Sequence, residues 1–379
     1  MNRVGIVFGT RPEAVKMVPV IQALKKYREL HVAVINTGQH REMVDQVLDV
    51  FDVAVDYRYS AMASGQSLPS LTAKILQYMD VLLSQQAFDL LLVHGDTATA
   101  LASALAAFYH RIPVGHVEAG LRTPSIDSPF PEEANRRLID TITQLYFAPT
   151  EAAAANLYRT GTDPDQVYVT GNTVIDALYS VVKRETVFTN SVLSNLDDAH
   201  PLVVATVHRR ENWGQPLQEI CEALREAVDR FSLQMVFCMH KNPALQTAVT
   251  GLLGGHPRIH LVDAPGYREF AHLLKRSWLV LTDSGGLQEE APALDIPVLV
   301  LRRSTERPEG VEAGTLQLVG TDKQDILGWI DKLTVDHRAY RQMQQAKNPY
   351  GDGLAAERIA EVVAAKLKYW GDRNGHSAG

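Results

Sequence analysis

Cysteine is nearly missing from this chain: Cys221 and Cys238 are the only two in 379 residues. They show neither metal nor redox spacing, so no disulfide framework is implied and both read as buried thiols of a reducing compartment. A positive charge balance is also lacking. A formal net charge of -7 at pH 7 argues against a nucleic-acid or membrane binder, since those use broad basic surfaces. Long apolar runs are lacking as well. The opening MNRVGIVFGTRPE meets Arg-Pro-Glu too early for a signal peptide, and the alanine-rich run from Ala98 to Tyr109 is too short to span a bilayer. A cytoplasmic protein with no nucleic-acid or membrane partner is expected. The histidines are scattered without ligand spacing, so no metal is expected. No GxGxxG follows the first apolar run, which leaves a nicotinamide cofactor without its usual fingerprint. Low-complexity tracts and short-period repeats are absent too.

What is present is the alternation of short apolar runs with helical patterns that marks βα units and parallel sheets. The runs are Val4 to Phe8, Val32 to Ile35, Leu90 to Val93, Val114 to Val117, Leu145 to Phe147 and Val167 to Val169. A second series follows at Leu202 to Val207, Met235 to Met239, Ile259 to Val262, Trp278 to Leu281 and Val298 to Leu301. With 46% hydrophobic and 21% charged residues, the composition is that of a soluble globular protein of two ordinary domains. The fold class is therefore α/β, with two doubly wound parallel sheets. Thr186 to Pro201, the least patterned segment, reads as part of the crossing between domains. Ala355 to Tyr369 has the pattern of an amphipathic helix.

The polar groups just after these runs carry more information than the runs. They include Thr10-Arg11-Pro12-Glu13, Gln39-His40, His94-Gly95-Asp96, Glu118-Ala119-Gly120, His208-Arg209-Arg210, His240-Lys241-Asn242 and Asp283-Ser284-Gly285-Gly286. Ligands of open parallel sheets bind beyond the carboxyl ends of the strands, where all of these fall. Gly285 and Gly286 have no Cβ, so an anion can approach the backbone ahead of a helix start, and Glu289 or Glu290 lies one turn on, within reach of ribose hydroxyls. Together they suggest a nucleoside diphosphate. Taken alone, the same residues read more simply as an ordinary Ser-Gly-Gly turn with Ser284 as N-cap.

The segments GTRPE, QHREM, HGDTATA, VGHVEAGLRT, SPFPEEANRR, VTGNTVIDAL, HRREN, TDSGGLQEEAP, TERPEG, GTDKQ and NPYGDG stand in order between Phe8 and Gly353. Together they resemble the bacterial non-hydrolysing UDP-N-acetylglucosamine 2-epimerases. The resemblance implies a GT-B architecture, with two Rossmann-like domains and the active site between them. Residues 1–171, joined by a helix at 355–379, would form the first domain and residues 172–354 the UDP-binding one. It further implies reversible conversion of UDP-N-acetylglucosamine to UDP-N-acetylmannosamine by a homodimer without cofactor, supplying cell-surface polysaccharide precursors. One departure is Pro124, where the family's loop has glycine; proline fixes φ and removes an amide donor, so that loop's flexibility does not carry over.

Without a nicotinamide, epimerisation at C2 needs elimination of UDP to a glycal and re-addition. That calls for an anion clamp, carboxylates beside a developing oxocarbenium, and acid/base groups on both faces. The resemblance assigns acid/base work to Asp96, Glu118 and Glu132, with His208 and Arg136 beside them. Asp96 and Glu118 end neighbouring strands, and two carboxylates in one site would push their pKa values apart. Glu132 by itself also reads as a helix-start charge after Pro131, and His94 and His116 as buried, hydrogen-bonded strand residues. The nucleotide and sugar would be held by Arg11, Lys16, His208, Phe270, Ser284, Gly285, Gly286, Glu290 and Arg307. A second UDP-N-acetylglucosamine, acting as activator, would touch Gln39, His40, Gln66, Arg209 and His240. Gln39 and His40 alternatively cap the helix after the second strand. Other readings of the same residues are an epimerase for a related UDP-2-acetamido sugar, a GT-B glycosyltransferase and a nucleotide-sugar sensor.

Overall fold

The computed structural model describes residues 1–63 and 65–376. Residues 377–379, the end of the expected helix 355–379, lie outside them. Two compact units appear: residues 1–177 with 350–379, and residues 178–349.

In the first unit, β1 (Asn2–Phe8), β2 (Leu30–Asn36), β3 (Tyr57–Arg58), β4 (Leu90–His94), β5 (Val114–Val117), β6 (Leu145–Ala148) and β7 (Val167–Val169) form one parallel sheet. Its order is β3-β2-β1-β4-β5-β6-β7. Val4 is flanked by Val32 on one side and Leu90 on the other. Helices cover both faces, so the central strands are buried along their length and read as unbroken apolar runs. On one face Val7, Ile35, Leu91 and Val93 meet Leu71, Ile75 and Met79 of the helix Leu68–Gln85 and the alanines of Ala98–Tyr109. Those alanines let the second helix lie close to the sheet. Its start is fixed by Thr97, whose hydroxyl accepts the Ala100 amide at 3.1 Å, as an N-cap does. The helix Arg11–Leu24 packs against the last helix, Ala355–His376.

In the second unit, β8 (Leu202–Thr206), β9 (Gln234–Met239), β10 (Ile259–Asp263), β11 (Leu279–Thr282), β12 (Val298–Val300) and β13 (Leu316–Leu318) are parallel. The order is β10-β9-β8-β11-β12-β13. Side chains alternate between two cores: Val203, Ala205, Met235 and Phe237 face one, while Leu202, Val204, Val236 and Cys238 face the other.

The doubly wound α/β class and every expected strand are present. Two edge strands, β3 and β13, were not anticipated, because two or three residues are too few to form a recognisable run. Thr186 to Pro201 belongs to the second unit: it carries a helical turn at Ser191–Ser194 and buries Leu193 and Leu196 in that unit's core. The chain passes between units within the helix Thr173–Val182 and returns at residues 349–350. The return is tied down in the first unit, where Asp176 accepts the amides of Ala356 at 2.8 Å and Ala355 at 3.3 Å. Burial pushes the Asp176 carboxyl up to about 6 despite these amides. Among the described residues no helix is long and apolar enough to cross a membrane.

Candidate functional site

In the first unit the expected residues gather where β1, β4 and β5 end. Gly9 follows β1 so closely that a Cβ there would lie 2.2 Å from the Thr37 hydroxyl. Arg11 then opens the helix, and among the described residues its guanidinium has no hydrogen bond or ion pair. Glu13, which sequence reasoning left unassigned, is buried. Its carboxylate accepts from the Gly9 and Thr10 amides and from the Thr10 and Thr97 hydroxyls at 2.6 to 3.1 Å. Thr10-x-x-Glu13 is a capping-box pattern, and that signal was available. Burial raises the Glu13 carboxyl, and the hydroxyl donors and His94 offset only part of that rise.

Glu118 leaves β5 in the left-handed region at φ 66°. Its carboxylate accepts from Lys16 Nζ at 2.6 and 2.8 Å. Buried His94 places Nε2 2.8 Å from the same carboxylate. Burial alone would raise the Glu118 carboxyl, but Lys16 and His94 overcome it and hold the group well below the carboxylate range. Lys16, expected on a phosphate, is thus the counter-ion of Glu118.

Asp96 follows Gly95 off β4. Arg136 Nε and Nη2 reach its Oδ2 at 2.8 and 2.6 Å, and Asn135 donates to its carbonyl at 2.7 Å. Both neighbours come from the helix Glu132–Ile142. That helix begins with Glu132, whose Oε2 is buried without a hydrogen-bond partner. The next residue, Glu133, also escaped sequence reasoning. It is fully buried, accepting from the Thr123 amide at 3.0 Å and from Arg137 Nε at 2.7 Å. It pins the loop after β5 to the helix start.

Three positions expected at an activator follow β2 and β3 in this unit. Gln39 Oε1 accepts from Thr99 at 3.0 Å. His40 occupies the N-cap position of the helix Arg41–Phe51 without a capping bond, and its Nδ1 is buried and unpartnered. Gln66 Oε1 accepts from the Ala63 amide at 2.9 Å and Lys74 at 3.4 Å, while its Nε2 is likewise buried without a partner.

In the second unit the organising group is Asp283, fully buried at the end of β11 and not singled out from sequence. It accepts the amides of His208 and Arg209 at 3.0 and 2.9 Å and the Asn212 side chain at 2.9 Å. His208 Nδ1 is 3.1 Å from the same carboxylate. Burial pushes the His208 ring down, Asp283 pulls it back, and Arg209, His240 and Arg302 add to the depression. The His208 and His240 rings stack with centroids 6.1 Å apart. Arg209 Nε is buried and unpartnered.

The Ser284-Gly285-Gly286 turn follows. The Ser284 amide donates to Thr282 Oγ1 at 2.9 Å. A Cβ on Gly285 would meet nothing nearer than Arg209 at 3.9 Å, so open space adjoins that backbone. The helix beyond is a single turn, Leu287–Glu290, passing into a 3-10 turn at Pro292–Leu294. Glu290 Oε1 accepts from the Tyr267 hydroxyl at 3.4 Å. Arg307, expected on phosphate or sugar, is ion-paired with Glu289. Phe270, on the helix Tyr267–Arg276, packs against the core beneath. Asp283 therefore holds His208 and Arg209 beside the glycine turn, with the His240 ring stacked on His208.

A family model described as UDP-N-acetylglucosamine 2-epimerase matches residues 22–364. The UDP-N-acetylglucosamine 2-epimerase of Bacillus subtilis strain 168 is 47% identical over 368 residues, covering 97% of this chain and 96% of that protein. The enzyme of that name from Escherichia coli O157:H7 is 46% identical over 366 residues, 94% of this chain and 97% of its own. The crystal structure of UDP-GlcNAc 2-epimerase from Neisseria meningitidis bound to UDP-GlcNAc superposes with a TM-score of 0.87 at 42% identity. It covers 96% of this chain and all of that one, 100%. The two Rossmann-like units are accordingly of the GT-B class. The chain belongs to the UDP-N-acetylglucosamine 2-epimerase family, and by that membership it is an isomerase.

Proposed function

We propose that this protein interconverts UDP-N-acetylglucosamine and UDP-N-acetylmannosamine by eliminating and re-adding UDP. A carboxylate removes the C2 proton, the C2–H electron pair becomes the C1=C2 bond, and the C1–O pair leaves with UDP, giving 2-acetamidoglucal. Return of UDP to C1 with a proton delivered to the opposite face of C2 gives the epimer. The observation that carries this reading is the environment of the three carboxylates. Asp96 sits against Arg136, Glu118 sits against Lys16 with the His94 ring beside it, and Glu132 keeps a buried oxygen unpartnered. A buried acceptor without a donor is costly unless a ligand supplies one.

The second domain, residues 172–354 in this reading, holds UDP through His208, Ser284, Gly285, Gly286 and Glu290, with Phe270 and Arg307 beside them. Arg11 of the first domain adds charge for the diphosphate. A ring whose pKa is pushed down enters neutral, and the arriving diphosphate favours its protonation. Support for the ligand class comes from the Neisseria meningitidis relative, which was solved with UDP-GlcNAc bound.

Regulation belongs to the same proposal. Gln39, His40, Gln66, Arg209 and His240 receive UDP-N-acetylglucosamine as activator, and unsatisfied buried nitrogens on His40, Gln66 and Arg209 support a polar ligand there. Exposed Val81, Phe108 and Tyr109, on two helices packed together, support a homodimer through that face. The reaction is placed in the cytoplasm, feeding polysaccharide synthesis. Incubation with UDP-N-acetylglucosamine in deuterated water tests the chemistry: NMR should find deuterium at C2 in both epimers with UDP retained. Turnover without C2 exchange would remove the elimination route. Purified UDP-N-acetylmannosamine should react with a lag that a trace of the gluco epimer abolishes, and immediate full-rate conversion would remove the activator.

A further inference from the structure

His116 is wholly buried on β5, and the chemistry above gives it no task. Its ring is nonetheless engaged at both nitrogens. Nε2 lies 2.8 Å from the carbonyl oxygen of Gly95, and Nδ1 lies 2.6 Å from Asp140 Oδ1. A carbonyl only accepts, so Nε2 donates. Asp140 is held below the usual carboxylate range: burial would raise it, but His116 and Arg122 prevail. Its other oxygen accepts from Arg122 Nη2 at 2.6 Å, and Arg122 Nη1 is anchored on the Leu121 carbonyl at 2.9 Å. Arg122, Asp140, His116 and the Gly95 peptide thus form one chain of hydrogen bonds.

Its place in the sheet gives it a purpose. The β4–β5 ladder ends with the Gly95 amide on the Val117 carbonyl at 3.0 Å. Beyond that point both strands turn through left-handed residues, Gly95 at φ 64° and Glu118 at φ 66°. Asp96 and Glu118 are projected at these two turns. The His116 ring, two residues before Glu118, is the bond that holds the peptide immediately before Asp96.

We propose that His116, buttressed by Asp140 and Arg122, is a positioning group that fixes Asp96 relative to Glu118. The proposal rests on the assignment of those two carboxylates to proton transfer. Losing the tether leaves Asp96 paired with Arg136 but lets its peptide drift, and a displacement of about 1 Å costs on the order of 100-fold in rate.

The test compares His116→Ala, His116→Gln and Asp96→Asn, with folding checked by circular dichroism and thermal melting. His116→Ala should lower kcat about 10- to 100-fold while KM stays within about twofold, with the kcat–pH profile displaced. His116→Gln, whose amide donates near the former Nε2, should recover most of the loss. Should His116→Ala fail to fold, Arg122→Gln leaves the buried ring in place and should show the same kcat loss at unchanged KM. The inference is overturned by full kcat in whichever of these folds, or by glutamine performing no better than alanine. A loss matching the unfolded fraction overturns it as well. An active Asp96→Asn overturns both this inference and the carboxylate assignment, whereas an inactive Asp96→Asn beside a fully active His116→Ala removes only the tether.

Discussion

Lys16→Met separates two roles that one lysine can play. Methionine keeps much of the volume and removes the charge, leaving Glu118 buried with the His94 ring as its remaining close neighbour. The pair is shielded, with side-chain exposures of 15% for Lys16 and 8% for Glu118. Removing one partner of such a pair costs roughly 3–5 kcal/mol, because the other charge is left in a medium that does not solvate it. A domain stable by about 5–15 kcal/mol survives that loss, with a lower melting temperature. The carboxyl of the native protein is held low, so its stabilising contribution is complete above the ordinary value of 4.5 and is lost as pH falls through the depressed folded value. In the variant, burial dominates and the carboxyl rises. The direction reverses: the folded state now retains a proton that the unfolded state releases, and stability falls as pH rises through the new folded value. Activity that requires the ionised carboxylate should be low at neutral pH and climb with pH, where the parent is flat. The assays are urea unfolding across pH, the pH profile of kcat/KM, and calorimetry with UDP. Unchanged stability and an unchanged pH profile together with UDP affinity weakened tenfold or more (about 1.4 kcal/mol) would refute the argument and return Lys16 to the diphosphate.

Asp96→Asn and Glu132→Gln should each slow turnover by about 10²- to 10⁴-fold with little change in UDP affinity; normal kcat in both ends their assignment. His208→Ala should weaken UDP binding by roughly 1.5–3 kcal/mol, the range for a charge-assisted bond, and unaltered calorimetric affinity would place the diphosphate elsewhere. Asp176, raised to about 6 from 3.8, contributes stability that is complete below 3.8 and lost as pH rises through about 6, a swing of roughly 3 kcal/mol at 1.36 kcal/mol per unit. Asp176→Asn should therefore flatten the melting-temperature profile across that window, and a profile parallel to the parent's would count against the shift.

Strands were legible in the sequence because parallel strands covered on both faces are unbroken apolar runs: Leu90 to Val93 and Val298 to Leu301 could be little else. The groups at their ends were legible for the same reason, since topology sends every such residue to one edge of its sheet. What sequence reasoning missed were the carboxylates facing inward. Glu13, Glu133 and Asp283 are buried acceptors that organise loop amides and hydroxyls. Each stands beside a residue that drew attention instead, namely Arg11, Glu132 and Ser284. Charge pattern does not distinguish a carboxylate that meets a ligand from one that meets its own backbone; only the direction of the side chain does. Partner choice was hidden similarly. Lys16 was expected on phosphate and Arg307 on phosphate or sugar, and each faces a glutamate. The short strands Tyr57–Arg58 and Leu316–Leu318 escaped because pairing, not hydropathy, makes them strands.

The first unit is built from two stretches of chain, with the second inserted whole between Ala177 and Tyr350. During synthesis, residues 178–349 emerge complete and can fold while the other unit still lacks its last helix. That helix buries Ile359, Ala360, Val363 and Leu367 and packs on the helix after β1, so a helix made before the second unit waits for one made after it. A nascent chain stalled before Tyr350 would hold a finished second unit and an unsealed first one, with the apolar residues of Arg11–Leu24 open to chaperones. Termination ahead of Ala355–His376 would accordingly be felt in the unit that carries Glu118 and Asp96, far away in sequence, before it was felt at Asp283.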